Sequence, residues 1–284
     1  MKLPKRLLIQ VFFFFLQNPL LKNFVDGTIY RGDLKKICTP GLNCYSCPAA
    51  ITSCPIGALQ SFLAGARQSI SLFVTGFLLS IGVVFGRFIC GYVCPMGLLQ
   101  DLVYKIKTPK LIVRFRYLRY LKYVVLVLFV FLLPFALRHE LTGLGEPWFC
   151  KYICPSGTIL GAAPLLAANG FLRDMAGMLL VWKISLAAFL LLLAVPVYRF
   201  FCRALCPLGA IYALLNPIAL VRMRCDNNKC SSCGSCKDAC RLKLEPASQP
   251  NSPECVRCGD CVKACDPKAL QYWKGLGRCS GGNR

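Results

Sequence analysis

The sequence predicts an α-helical membrane protein of about four transmembrane helices, followed by a small cysteine-rich α+β domain. Three observations predict it. The 284 residues are 56% hydrophobic with a mean hydropathy of +0.55, and the apolar residues are gathered into blocks, as in chains that enter a bilayer. A Cys-Pro-x-Gly element occurs four times, at Cys54, Cys94, Cys154 and Cys206. Near the C-terminal end a four-cysteine run, C-x2-C-x2-C-x3-C, occurs twice.

The first apolar block, 7–21, is short and carries Gln10, Gln17 and Asn18. Lys2, Lys5 and Arg6 ahead of it suit a secretory signal, but no small-residue cleavage site follows, so a retained first helix is expected. Blocks 69–89, 120–137 and 175–198 each approach the ~20 residues a spanning helix needs. Lys183, inside the last block, is a functional candidate as an intramembrane charge, or a side chain that snorkels to the surface. Lys and Arg placement sets the expected orientation. Residues 105–122 hold seven basic and no acidic residues and read as cytoplasmic; 138–174 hold three of each and read as extracytoplasmic. Four spans place both termini in the cytoplasm of a bacterium, in a multi-pass protein of the inner membrane. The stretch 22–68, with five basic and two acidic residues, argues against this order.

The formal charge of +22 does not indicate nucleic acid. Basic residues beside apolar blocks follow the positive-inside bias and meet anionic lipid. Four bound clusters at about −2 each would reduce the balance to roughly +14. That remainder steers an acidic redox partner or simply solvates the surface.

The segment from Arg87 to Gly97, Arg-Phe-Ile-Cys-Gly-Tyr-Val-Cys-Pro-Met-Gly, returns from Arg199 to Gly209 as Arg-Phe-Phe-Cys-Arg-Ala-Leu-Cys-Pro-Leu-Gly. This marks a duplication of roughly 38–137 and 150–221. Proline is favoured at the first helical position, so short interfacial or re-entrant helices are expected over 55–66, 95–106, 155–163 and 207–215. Their N-termini favour anionic clusters. A continuous helix over 55–89 would be about 52 Å long, so a break near Gly65, Ala66 and Arg67 is expected.

The cysteines sort into sets. Cys90, Cys94, Cys202 and Cys206, two from each repeat, are the candidate ligands of one membrane cluster at the inner face. Cys47, Cys54, Cys150 and Cys154 are the candidate outer cluster, with Cys38 or Cys44 as substitutes. A local site of Cys38, Cys44, Cys47 and Cys54, or disulfides Cys150–Cys154 and Cys47–Cys54, remain open for that face. In the two runs, the first three cysteines bind one [4Fe–4S] cluster and the fourth binds the other, as in bacterial ferredoxins. Cluster 1 then takes Cys230, Cys233, Cys236 and Cys265; cluster 2 takes Cys255, Cys258, Cys261 and Cys240. Zinc on the paired C-x2-C knuckles is the rival reading, but it leaves Cys236, Cys240, Cys261 and Cys265 unused. Arg241 after Cys240, and Asp266 between Cys265 and Pro267, change the polarity near a sulfur. Cys225 and Cys279 fall outside every run and read as free thiols.

The expected division is a membrane domain 1–221, a di-cluster α+β ferredoxin domain 222–273 and a flexible tail 274–284. One histidine, His139, and no C-x-x-C-H argue against haem, and no glycine-rich nucleotide fingerprint is present. No catalytic residue is assigned. The expected cofactors are two [4Fe–4S] clusters in the tail and one or two more in the membrane part.

These motifs resemble the membrane polyferredoxin family typified by NapH and MauN, and by the C-terminal part of the nitrous-oxide reductase regulator NosR. The two C-x3-C-P loops and the two C-terminal runs carry the resemblance, from about residue 5 to residue 273. The segment from Gly41 to Gly57 looks like a bacterial subgroup with extra amino-terminal cysteines. The resemblance implies relay of single electrons rather than stand-alone catalysis. The implied donor is a cytoplasmic ferredoxin, a flavodoxin or quinol; the acceptor is an extracytoplasmic, in some cases flavin-bearing, or membrane redox protein. A related branch is linked to copper reduction, so an iron–sulfur reductase for metalloenzyme maturation is the contrasting expectation.

Overall fold

The computed structural model describes residues 5–65, 70–111, 117–137, 145–175, 177–266 and 268–274. Ala66, Arg67, His139, Cys279 and nearly all of the expected flexible tail lie outside them. Helix α1 (Lys5–Gln17) has thirteen residues, about 20 Å of length. Its Gln10 and Gln17 are buried and grip one loop. Gln10 Nε2 donates to Gly91 O at 2.9 Å and to Asp101 Oδ2 at 2.8 Å, while Gln17 Nε2 donates to Val93 O at 2.9 Å. Arg6 adds a bond to Gly91 O at 3.2 Å and an ion pair with Asp101. The polar residues that interrupt the first apolar block thus hold the Cys90–Cys94 loop in place.

The succeeding helices are α2 (Pro55–Leu63), α3 (Ile70–Phe85), α4 (Pro95–Val103), α5 (Leu118–Ala136), α6 (Gly157–Ala168), α7 (Met178–Ala194) and α8 (Pro207–Leu215). Cys54, Cys94 and Cys206 cap α2, α4 and α8 with ψ of 127°, 122° and 113°, and Cys154 has the same extended backbone, ψ 110°. Proline follows each, pre-set for the first helical turn. All four short helices therefore start where the Cys-Pro steps predict, the fourth passing from Pro155 and Ser156 into π-helical turns over Gly157–Ala162.

The four-span fold class is corrected. Among the described residues one helix, α5, is long and apolar enough to cross a membrane, with 19 residues and a mean hydropathy of 2.0. Among the described residues the block 69–89 yields the sixteen residues of α3, which end where the chain turns at Gly86, whose φ is +53°. The block 175–198 yields the seventeen residues of α7, which stops ahead of Pro196; proline lacks the N–H that would continue the ladder. The expected inner and outer faces, and the placement of both termini, lose their basis with the spans. What stands is a mostly helical chain whose α3, α5 and α7 leave large apolar side chains exposed, among them Leu72, Val127, Met178 and Leu192.

The C-terminal segment holds less regular structure than the expected α+β ferredoxin domain. Strands β1 (Val221–Cys225) and β2 (Leu270–Lys274) pair antiparallel, from Val221 opposite Lys274 to Cys225 opposite Leu270. Between them are the four-residue helices α9 (Ser235–Asp238) and α10 (Asp260–Lys263). The two runs are nevertheless built alike. Left-handed backbone recurs at Ser232 and Arg257, at Gly234 and Gly259, and at Lys243 and Lys268, a constant offset of 25 residues.

This segment docks on the helices through buried polar groups. The Arg257 guanidinium donates to Phe85 O at 2.8 Å and Asn216 O at 2.7 Å. Asn216 Nδ2 returns bonds to Ser252 O and Cys255 O at 2.8 and 3.2 Å. At Gly91 a Cβ would lie 2.5 Å from Val256 O, so only glycine permits the approach of the two backbones.

Candidate functional site

Cys90, Cys94, Cys202 and Cys206 are all buried, within one apolar core. Burial, then Cys202, Cys90 and Cys94, pushes the Cys206 thiol well above its ordinary value. Burial, then Cys94, pushes Cys202 up to about 12. Thiols so placed hold their protons in neutral solution, and binding a metal would displace those protons to give the thiolates that a cluster needs. Hydrogen-bond donors already point at the sulfurs. Leu42 N reaches Cys94 Sγ at 3.4 Å, Gly209 N reaches Cys206 Sγ at 3.3 Å and Gln100 Nε2 reaches Cys202 Sγ at 3.0 Å. Such donors stabilise bound thiolates and tune cluster potentials. The glycine of each Cys-Pro-x-Gly has a local reason here. A Cβ on Gly97 would lie 2.6 Å from Cys90 O, and one on Gly209 would lie 3.0 Å from Cys202 O.

Two arginines cross between the repeats. Arg87, three residues before Cys90, donates to Cys202 O at 3.1 Å; Arg199, three residues before Cys202, donates to Cys90 O at 2.6 Å. Both are fully buried, and each has a carboxylate. Asp101 accepts from Arg199 Nε at 2.9 Å and Nη2 at 2.6 Å. Burial would raise the Asp101 carboxyl, but Arg199, with Arg6, brings it down to about 2. Glu254, from the C-terminal segment, accepts from Arg87 Nη1 at 2.9 Å and pairs with Lys122.

The second core set is Cys44, Cys54, Cys150 and Cys154. Burial and then its neighbours Cys154, Cys54 and Cys44 push the Cys150 thiol well above the ordinary value; burial and then Cys44 push Cys154 up to about 12. A glutamine joins the two halves of each core set in the same way. Gln60 donates to Cys150 Sγ at 3.4 Å and accepts from Phe149 N at 3.0 Å. Gln100 donates to Cys202 Sγ and accepts from Phe201 N at 3.1 Å. Each glutamine lies six residues past a Cys-Pro cysteine, and each phenylalanine just before its cysteine.

Of the sequence-predicted outer residues, Cys54, Cys150 and Cys154 are brought together and Cys47 is not grouped with them. Cys47 is buried against Ala49 and Ala50, its Sγ donating to Asn18 Oδ1 at 3.5 Å. At the position four residues before Cys54, where the C-x3-C spacing has cysteine, the chain has Ala50. Cys44 lies near Cys54, Cys150 and Cys154 and also packs against Cys47. A cavity of about 840 Å³ opens on this set, lined also by Lys35, Lys183 and Cys38; Cys38 Sγ lies 3.7 Å from Ser53 Oγ. None of the described cysteines is disulfide-bonded.

In the C-terminal segment the runs interlock. Cys230, Cys233, Cys236 and Cys265 line one cavity. Cys240, Cys255, Cys258 and Cys261 line another; burial, then Cys258, Cys255 and Cys240, pushes Cys261 up to about 12. Cys225, a free thiol by sequence, lines the first cavity too. Among the described residues no three Cys, His, Asp or Glu side chains converge on a single-ion site.

The sequence motifs did not single out Gln60, Gln100, Arg87, Arg199, Asp101 or Glu254. The signal for the arginines was present, since both repeats read Arg-x-x-Cys. For the glutamines it was the shared offset of six residues. Asp101 and Glu254 left no motif, because their partners lie about a hundred residues or more away in the chain.

Clustered cysteines, with hydrogen-bond donors directed at the sulfurs in the core, fit an iron–sulfur protein. A 4Fe-4S binding domain model matches residues 67–116, 122–163 and 170–224, just over half of the chain, and the chain belongs to that family. It is also similar to the methylamine utilization ferredoxin-type protein MauN of Paracoccus denitrificans, 31% identical over 194 residues, which cover 66% of this chain and 60% of that protein. The MauN of Methylorubrum extorquens is 29% identical over 66% of this chain and 59% of its own length. An uncharacterized protein of Methanocaldococcus jannaschii is 27% identical over 231 residues, 77% of this chain and 85% of that protein. No solved structure matches. The family and these relatives place the chain in the MauN- and NapH-type group and support a role in electron transfer.

Proposed function

We propose that the chain relays single electrons along four cysteine sets arranged from the C-terminal segment into the helical core. The distal tail set is Cys230, Cys233, Cys236 and Cys265, and the proximal one is Cys240, Cys255, Cys258 and Cys261. The inner core set is Cys90, Cys94, Cys202 and Cys206. The outer core set is Cys44, Cys54, Cys150 and Cys154. When bound, [4Fe–4S] clusters supply the one-electron chemistry, and the chain's residues fix their order and surroundings. Tyr92 OH donates to Cys258 O at 3.1 Å, joining the proximal set to the inner loop.

The observation that carries the reading is Leu42. Its N–H donates to Cys94 Sγ at 3.4 Å, while its carbonyl accepts from Ser156 Oγ at 3.3 Å, two residues past Cys154. Leu42 therefore bonds a cysteine of the inner set through its N–H and a close chain neighbour of Cys154 through its carbonyl, and Tyr212 is packed in the same core.

The donor, a small ferredoxin, flavodoxin or quinol, meets the exposed C-terminal segment, and the acceptor meets the outer cavity. The helical part, 1–221, associates with the membrane through α5 and the exposed apolar side chains of α3 and α7, and 222–273 forms the entry segment. Iron and acid-labile sulfide after anaerobic purification test the scheme. About sixteen irons per chain supports four clusters; about eight confines them to the C-terminal segment and sinks the core relay. Cys38, lining the outer cavity without belonging to its four, favours a second reading, reduction of a metal ion in that cavity. A stoichiometric copper signal that Cys38→Ser removes would select it.

A further inference from the structure

Five cysteines, rather than four, face the distal tail cavity: Cys225, Cys230, Cys233, Cys236 and Cys265. Cys225 ends β1 opposite Leu270, and its thiol shares the cavity wall with Cys230, Cys236 and Cys265. Its position is well anchored. Besides the pairing with β2, Met223 exchanges bonds with the Asn251 side chain at 3.0 and 2.9 Å. Cys233 is the opposite case. Among the described cysteines it alone is exposed, held by a contact of 3.4 Å to Ser235 Oγ.

The proximal cavity provides an internal control. The 25-residue offset between the runs maps Cys225 onto Pro250, which lines the proximal cavity beside its four cysteines. The fifth thiol is thus specific to the distal site, where one ligand is exposed.

We propose that Cys225 is an alternative ligand of the distal tail cluster, able to take the iron that Cys233 holds. The inference rests on the assignment of Cys230, Cys233, Cys236 and Cys265 to a cluster. The exchange moves no electrons. The iron–sulfur bond to Cys233 breaks, the bond to Cys225 forms, and the Cys225 proton passes to the departing Cys233 sulfur. A [4Fe–4S] cluster keeps one thiolate on each iron throughout.

The test uses the full chain, purified anaerobically, as wild type, Cys233→Ala, Cys225→Ala and the double variant. Iron per chain is measured, and iodoacetamide-reactive thiols are mapped by mass spectrometry under native conditions. In the wild type Cys225 should be alkylated; in Cys233→Ala it should become protected with iron content unchanged; in the double variant iron should be lost from this site. Loss of iron in Cys233→Ala with Cys225 still reactive overturns the proposal. Where Cys233→Ala does not fold, Cys225→Ala gives the answer: an iron chelator, which leaves the thiols unmodified, should strip its iron faster than from wild type, and equal rates overturn the proposal. A wild type that leaves all five thiols reactive and lacks about four of the sixteen irons overturns the cluster assignment itself, and the proposal with it.

Discussion

The two core cysteine sets share one wiring plan and differ in what encloses them. In each, a buried glutamine six residues past a Cys-Pro step bonds the sulfur of a cysteine about ninety or a hundred residues away, and accepts from the amide before it. The inner set is closed by Arg87 and Arg199, buried and crossed between the repeats. The outer set opens on a cavity of about 840 Å³ with lysines in its wall. Equal ligands in unequal surroundings give different potentials and different access. The contrast suits a sealed relay on one side of Leu42 and an exchange site on the other.

The largest effect should come from the cysteine that distinguishes the outer set. Cys44→Ser should remove about four irons per chain and leave the inner set's EPR signal intact. Cys47→Ser should remove none, since its sulfur bonds Asn18. Iron loss from Cys47→Ser with none from Cys44→Ser reverses the assignment.

Next come the crossed arginines. Arg87→Met leaves Glu254 with Lys122 alone, and Arg199→Met strips Asp101 of its bidentate partner. Breaking a buried pair by removing one partner costs about 3–5 kcal/mol, readable as a fall in Tm. Either change also removes a positive charge beside the inner set, so its midpoint potential should fall while the outer set's stays fixed. Arg87→Lys should restore most of the potential through its charge, though not the forked geometry. Equal shifts at both sets would show that the arginines hold the fold and do not distinguish the sites.

The contrast also marks how far sequence reading goes. The two C-terminal runs were legible because their cysteines are near neighbours in the chain, and spacing alone says which could act together. The Cys90–Cys94 and Cys202–Cys206 loops were legible through the repeat. Cys44 was not separable from Cys47, because the pattern position before Cys54 is occupied by Ala50 and spacing alone names no substitute. Helix length was misread for a similar reason. Apolar residues continue past Gly86 and up to Pro196, so composition predicts spans that backbone turns cut to sixteen and seventeen residues. In α1, hydropathy suggested a span, whereas Gln10 and Gln17 are buried against the inner loop.

Matched glutamine variants sharpen the comparison at smaller amplitude. Gln100→Leu and Gln60→Leu each leave a buried backbone amide, Phe201 N or Phe149 N, without its acceptor. A lost buried partner costs about 1–3 kcal/mol. Each variant also removes one N–H from a sulfur, so its own set's potential should drop and the other's should not. If Gln60→Leu moves the inner potential as much as Gln100→Leu does, the two sites are not independent copies of one plan.

The smallest effect lies at the junction that feeds the sealed set. Tyr92→Phe removes one hydrogen bond, to Cys258 O at 3.1 Å, with a net contribution of about 0.5–1.5 kcal/mol. The ring stack with Phe88, centroids 4.3 Å apart, survives the change, so the inner loop should keep its shape and all clusters their iron. What should change is the docking of the proximal segment. Electron transfer from the tail sets to the inner set, followed by rapid mixing with a reductant, should slow while the spectra stay the same. Gly91→Ala attacks the same junction by steric means, since the new Cβ would meet Val256 O at 2.5 Å. The two variants should slow the same step. If Gly91→Ala slows transfer between the core sets instead, the entry point lies elsewhere, and the sealed set is not reached through the Cys255–Cys258 loop.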